Sequence, residues 1–204
     1  MHTSGGMRGW VVPGTFSRSG NDGVRHVHNR TPVKPEHAPP SYAETGAGLT
    51  AEMTAVTTGA RRRAVRDGDR HVDTAHLLHS LIEVDPAVRE AFGGGPRLAR
   101  VLGYLVQRSI GYGLRWHGTQ EDSGAFRVVR GTGAEGWSPS AAAAVDRAVR
   151  GAALRGEDHA GGLDLLTALV ADPRCRAVEV LERAGVDTAW LAGRAADQRS
   201  GARS

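Results

Sequence analysis

The sequence predicts an all-α protein built from one helical unit written twice. Three observations carry this. First, the stretch His71–Ile82, HVDTAHLLHSLI, returns about 88 residues later as His159–Val170, HAGGLDLLTALV. Self-similarity at a fixed spacing marks a duplicated structural unit. The alignment extends to Ala55 on Ala143, Ala60 on Ala148, Arg62 on Arg150, Ala64 on Ala152 and Gly68 on Gly156, then slips by one to place Asp85-Pro86 on Asp172-Pro173. Second, hydrophobic residues make up 40% of the chain but aromatics only 5%. The core must therefore be Leu, Val and Ala, which favours helices over a β-sandwich. Third, capping residues and glycine stops punctuate the chain at helical lengths.

Residues 1–48 are rich in Gly, Ser, Thr, Pro, His and Arg. They carry too little apolar surface to offset the entropy of ordering, so they read as a disordered tail. Trp10, Val11, Val12 and Phe16 are its sticky positions, a candidate docking motif. The first helix runs from about Thr50, its cap, to Arg66, with Met53, Val56, Ala60 and Ala64 on one face and Gly68 as its stop. The second spans His71–Val84, capped by Asp73 or Thr74, with Leu77, Leu78, Leu81 and Ile82 as its apolar stripe. Asp85 and Pro86 open a third, short helix, with the proline at a position whose N–H would have no partner anyway. Val88 and Phe92 point inward. The fourth runs from about Arg97 to Ile110 around Leu98, Val101, Leu102 and Leu105.

Repeat one thus covers 49–112, followed by a glycine-rich insertion at 113–136. Within it Ala125–Arg130 reads as a short strand or hairpin arm, exposed and free to carry specificity. Repeat two, 137–197, opens on Trp137-Ser138-Pro139, with serine as cap and proline behind it. Its helices are Ser140–Arg155, Gly162–Ala171, Arg174–Ala184 and a last one capped by Asp187 that holds Trp190 and Leu191. Residues 198–204 are expected to fray.

Charge and cysteine content narrow the function. The net charge is +4, and Lys34 is the only lysine. From Leu49 onward arginines and acids nearly balance, which argues against a nucleic-acid-binding surface. A DNA-binding regulator using the arginine-rich tail and Arg61–Arg63 is the alternative reading, and its affinity would fall steeply with salt. Cys175 is the single cysteine. With no secretory segment and no apolar run of membrane-spanning length, a cytoplasmic protein is expected. Lys34 lies in Pro-Val-Lys-Pro, without the glycine-rich turn that a Walker A phosphate loop needs. His71, His76 and His79 suggest a metal, and Asp73 with His76 an acid–base pair. No cysteine ligand, nucleophile or oxyanion donor accompanies them, so neither a metal site, nor a cofactor, nor a catalytic residue is expected.

Leu49-Thr50, Gly68, Thr74-Ala75-His76-Leu77-Leu78, Leu81, Trp137-Ser138-Pro139, Gly156, Leu165-Leu166, Leu169 and Gly185-Val186-Asp187 together resemble the double Clp repeat. This is the N-terminal domain of Clp-type unfoldases, ClpC and ClpA among them. The resemblance spans about Leu49 to Arg194. It implies eight helices in two pseudo-symmetric four-helix repeats and a non-enzymatic role in binding a Clp ATPase, its adaptors or its substrates. In actinobacterial ClpC it also implies binding of cyclic-peptide antibiotics. The implied groove lies near the starts of the first and fifth helices, at Leu49, Thr50, Thr54, Thr57, Thr58 and Arg61 and at Trp137, Ser138 and Pro139. Here Trp137 keeps an aromatic, while the first-helix side departs from the family's pattern. The family reads phosphoarginine through a glutamate in each repeat. Those positions are Ala75 and Leu163, which have no side-chain acceptor.

Overall fold

A computed structural model describes residues 42–110 and 136–201. The described helices are α1 (Tyr42–Thr45), α2 (Ala51–Asp67), α3 (Thr74–Val84), α4 (Pro86–Ala91), α5 (Gly95–Ser109), α6 (Pro139–Leu154), α7 (Gly162–Val170), α8 (Arg176–Arg183) and α9 (Thr188–Gly201). No strand is present among the described residues, and the fold is all-α as predicted. The glycine-rich insertion, apart from Gly136, and the sticky positions of the tail lie outside the described residues.

Local chemistry sets the helix ends. The Thr50 hydroxyl accepts from the Met53 N–H, and the Ser138 hydroxyl accepts from the Ala141 N–H. These are equivalent caps of equivalent helices. Gly68 stops α2 in the left-handed region at φ 75°, and Gly156 follows α6 at φ 76°, where a side chain would be strained. Asp73 caps α3, and the His76 ring returns the bond by accepting the Asp73 N–H at 3.1 Å.

The repeats join by a reciprocal exchange. Leu49, just before α2, pairs with Ala160, just before α7; Val72, just before α3, pairs with Trp137, just before α6. Shifted by the repeat spacing, Leu49 becomes Trp137 and Val72 becomes Ala160, so the two pairings are one contact made twice in opposite senses. Their hydrogen bonds match. The Thr50 N–H donates to the Ala160 carbonyl at 3.2 Å, and the Ser138 N–H donates to the Val72 carbonyl at 2.8 Å. The Ala160 N–H donates to the Gly48 carbonyl, and the Val72 N–H to the Gly136 carbonyl. Such a self-complementary interface is the geometry of a two-fold axis.

Around it α3 meets α7, while α3 on α8 mirrors α4 on α7, and α4 on α9 mirrors α5 on α8. Leu77, Leu78 and Leu81 of α3 and Leu165, Leu166 and Leu169 of α7 are fully buried at the centre of the core. Gly162 gives close packing at this junction: a Cβ there would press on the Asp85 carboxylate and lie 3.0 Å from Leu81 Cδ1, so both side chains would have to shift. In repeat one the same position is Thr74, whose hydroxyl accepts the Ala177 N–H at 3.0 Å.

Three expectations need correction. Residues Tyr42–Gly48 do not belong to a structureless tail: they include α1, whose Ala43 is buried and whose Tyr42 N–H donates to Asp146 Oδ1 at 2.9 Å. At the other end, residues 198–201 are helical rather than irregular. The α9 helix continues to Gly201, and Arg199 reaches the buried Asp164 at 2.8 Å. In repeat two, Asp172-Pro173 makes a turn and α8 starts later, at Arg176; the Asp172 carboxylate accepts the Arg174 N–H instead of capping a helix.

Candidate functional site

The implied groove residues fall into two groups. Arg61, midway along α2, lays its guanidinium over the Trp137 ring at 5.0 Å from the centroid, a cation–π contact that links the repeats. Trp137 is buried, with only 6% exposed, and its Nε1–H has no hydrogen-bond partner among the described residues. Ser138 is engaged as a cap, and Pro139 is exposed behind it. Leu49 and Thr50 sit at the reciprocal contact with Ala160, not against Trp137.

The α2 threonines are less available than their residue type suggests. The Thr54 hydroxyl donates to the Thr50 carbonyl, and the Thr57 hydroxyl to the Thr54 carbonyl, both at 3.0 Å. Thr57 is buried; Thr54 and Thr58 are exposed. The arginine triplet also divides. Arg61 covers Trp137, Arg63 pairs with Glu83 and approaches His79 Nδ1 at 3.2 Å, and Arg62 is exposed. They do not form a common basic face.

A second cluster, only partly visible in the sequence, holds α3 to its neighbours. Asp73 takes an ion pair from Arg108 of α5 and one from Arg176 of α8 at 2.7 Å. His76 Nε2 lies 3.2 Å from Asp69 Oδ2, and Arg108 reaches Asp69 at 3.1 Å. Burial opposes ionisation of Asp73, yet the His76 hydrogen bond and the two arginines hold its carboxyl far below the usual range. Burial likewise works against the charged His76, but its bonds to Asp69 and Asp73 outweigh that and raise its pKa.

Asp69, Asp73 and His76 stand close enough to share a metal. Arg108, shared by both carboxylates, and Arg176 on Asp73 supply two permanent cations to the two acids, so the donor set is already neutralised by protein. His79 faces Arg63 instead and does not join this cluster. Asp73 and His76 were legible as a helix start. Asp69, Arg108 and Arg176 were not, because nothing in their local patterns signals a contact made across tens of residues.

No family profile and no curated protein matches the chain. Solved structures do. One, from work titled "Preliminary structural investigations of a malarial protein secretion system", superposes with a TM-score of 0.53 at 12% identity, covering 74% of this chain and 94% of that one. Another is the N-terminal domain of the caseinolytic-protease-associated chaperone ClpD from Arabidopsis thaliana, with a TM-score of 0.51 at 20% identity, covering 75% of this chain and 95% of that one. The fold matches that of a Clp N-terminal domain. Within this Clp-like frame, Ala75 is buried and Leu163 is packed against the core, so both positions present hydrocarbon. Among the described residues no helix is long and apolar enough to cross a membrane.

Proposed function

We propose that this domain is a non-catalytic, cytoplasmic peptide-binding module working with a Clp unfoldase, and that its ligand lies on the seam between the repeats beside Arg61 and Trp137. The observation that carries this reading is the Arg61–Trp137 contact, set on the two-fold seam of a Clp-like bundle. The Arg61 guanidinium, held flat over the buried Trp137 indole, offers a cation with N–H donors to the main-chain carbonyls of an extended or cyclic peptide.

The groups whose types suggest chemistry have structural work. The Thr50 and Ser138 hydroxyls cap helices, and Cys175 is buried with its thiol directed at the Leu169 carbonyl. The partners are a Clp ATPase, its adaptors or its substrates, and the same seam takes Clp-directed cyclic peptides. Ala75 and Leu163 carry no side-chain acceptor, which argues against phosphoarginine recognition by the family's glutamate route.

A thermal-shift series on the full chain tests this. A ligand that binds only the native state at a hundred-fold excess over its Kd adds about 2.7 kcal/mol, or roughly 5–10 °C in a domain of this size. An unfolded client peptide or a Clp-directed cyclic peptide should give such a rise, and phosphoarginine none. Stabilisation by the cyclic peptide assigns a sequestering role; capture of the Clp ATPase assigns an adaptor role. Flat melting curves with every probe, or turnover of any of them, would contradict the proposal.

A further inference from the structure

Helix α1 is four residues long, far below the length at which a helix holds itself together in water. What orders it is the surface beneath. That surface takes one residue from each repeat. Asp146 of α6 accepts the Tyr42 N–H at 2.9 Å, and Arg61 of α2 donates to the Ala43 carbonyl at 3.4 Å. Between these two main-chain contacts Ala43 is 5% exposed, while Tyr42, on the outer side, keeps 37% of its surface exposed. Recognition therefore rests on the backbone and the buried Ala43, with partial cover of the tyrosine. The same Arg61 stacks on Trp137, so α1 shares a guanidinium with the proposed ligand seam.

Symmetry sharpens this. At the repeat spacing, Asp146 corresponds to Thr58 and Arg61 to Val149. The Asp146–Arg61 pair is therefore not repeated at the symmetry-equivalent positions, which hold Thr58 and Val149. Gly48, at φ 69°, joins α1 to α2 where a Cβ would stand 2.9 Å from Val149 Cγ1. The connection is pressed against α6 at this point, in a backbone region that glycine occupies without strain.

We propose that Arg61 and Asp146 form a main-chain-reading peptide seat, and that residues Tyr42–Gly48 are its built-in occupant, which must lift before another chain can bind. The visitor is a short segment with a small side chain at the Ala43 position, preceded by a residue with a free N–H. Its identity as a Clp client or cyclic peptide rests on the function proposed above; the seat itself does not. A seat closed about nine-tenths of the time weakens a visitor roughly ten-fold, because apparent affinity scales with the open fraction.

The test uses the full chain and a fluorescein-labelled synthetic peptide of residues 39–49, read by anisotropy. Ala43→Asp places a carboxylate in the buried position and unseats α1 without altering the seat. The labelled peptide should bind this variant at least ten-fold tighter than the wild type. Binding should be lost with Asp146→Ala added, or with proline in place of the peptide's tyrosine. Melting points within a few degrees of wild type show that the bundle is intact in each variant. Equal affinity for wild type and Ala43→Asp, or no binding to either, overturns the proposal. Failure of the Clp reading has another signature: no client or cyclic peptide shifts the melting point, yet the 39–49 peptide still binds Ala43→Asp.

Discussion

At the scale of single residues, charge is concentrated on Asp73. It is buried, ion-paired to Arg108 and Arg176, and its Oδ1 accepts the His76 N–H at 3.0 Å. Asp73→Asn keeps the cap but removes the buried carboxylate charge that Arg108 and Arg176 share. Removing one member of such a cluster costs about 3–5 kcal/mol, to be read from urea unfolding at neutral pH. His79 makes a different prediction. Burial and the neighbouring Arg63 depress its pKa from 6.5 to about 4. A depressed histidine contributes stability that is present above its unfolded pKa and lost as pH falls. The wild type should therefore lose on the order of 3 kcal/mol between pH 6.5 and 4 from this group, at ~1.4 kcal/mol per unit. The raised His76 does not interfere, since its contribution is fully present below 6.5 and is lost only at higher pH. His79→Leu should flatten the melting temperature across that window. An unchanged slope would refute the assignment.

At the scale of elements, the duplicated helices were legible because capping chemistry and apolar spacing agree. Thr50 and Asp73 cap where expected, and α3 and α7 bury their predicted leucines. What escaped is what tertiary contact decides. The α1 sequence YAET carries no apolar period, and the surface under it supplies its order. The extension of α9 depends on Arg199 meeting Asp164, and the late start of α8 on how the Asp172-Pro173 turn folds. Gly162, which reads only as a weak helix start, sits where a Cβ would press on Asp85 and Leu81 of the α3–α4 corner. Gly162→Ala forces a methyl onto the Asp85 carboxylate and should destabilise by about 1–3 kcal/mol, the range for overpacking a tight contact. Gly103→Ala on α5, where a Cβ meets nothing within 4 Å, should be neutral or stabilising in the same unfolding assay.

At the scale of the whole molecule, the repeat spacing contained more than the fold class. Positions that align across the repeats exchange contacts across the seam, Leu49 with Ala160 and Val72 with Trp137, so the alignment itself encoded a two-fold axis. The departures from that symmetry mark the candidate site. Trp137 stands where repeat one has Leu49, Arg61 where repeat two has Val149, and Asp146 where repeat one has Thr58. The sequence made Trp137 and Arg61 candidates through family resemblance. It gave no reason to pair them with Asp146, since only the folded seam places α1 between α2 and α6. Trp137→Ala should cost about 3–5 kcal/mol, as for other buried aromatics, whereas Arg61→Ala should cost about 0.5–1 kcal/mol from the lost cation–π contact. Arg61→Ala is therefore the variant that separates binding from folding. The decisive measurement is amide and indole NMR of the full chain titrated with an unfolded casein peptide, with the peptide's mass checked afterwards. Shifts should gather on Thr58, Arg61, Asp146 and the Trp137 indole and be lost in Arg61→Ala, and the peptide should remain intact. Shifts gathered instead on the open hollow around Pro86, Arg89 and Leu98, or a cleaved peptide, would contradict this reading.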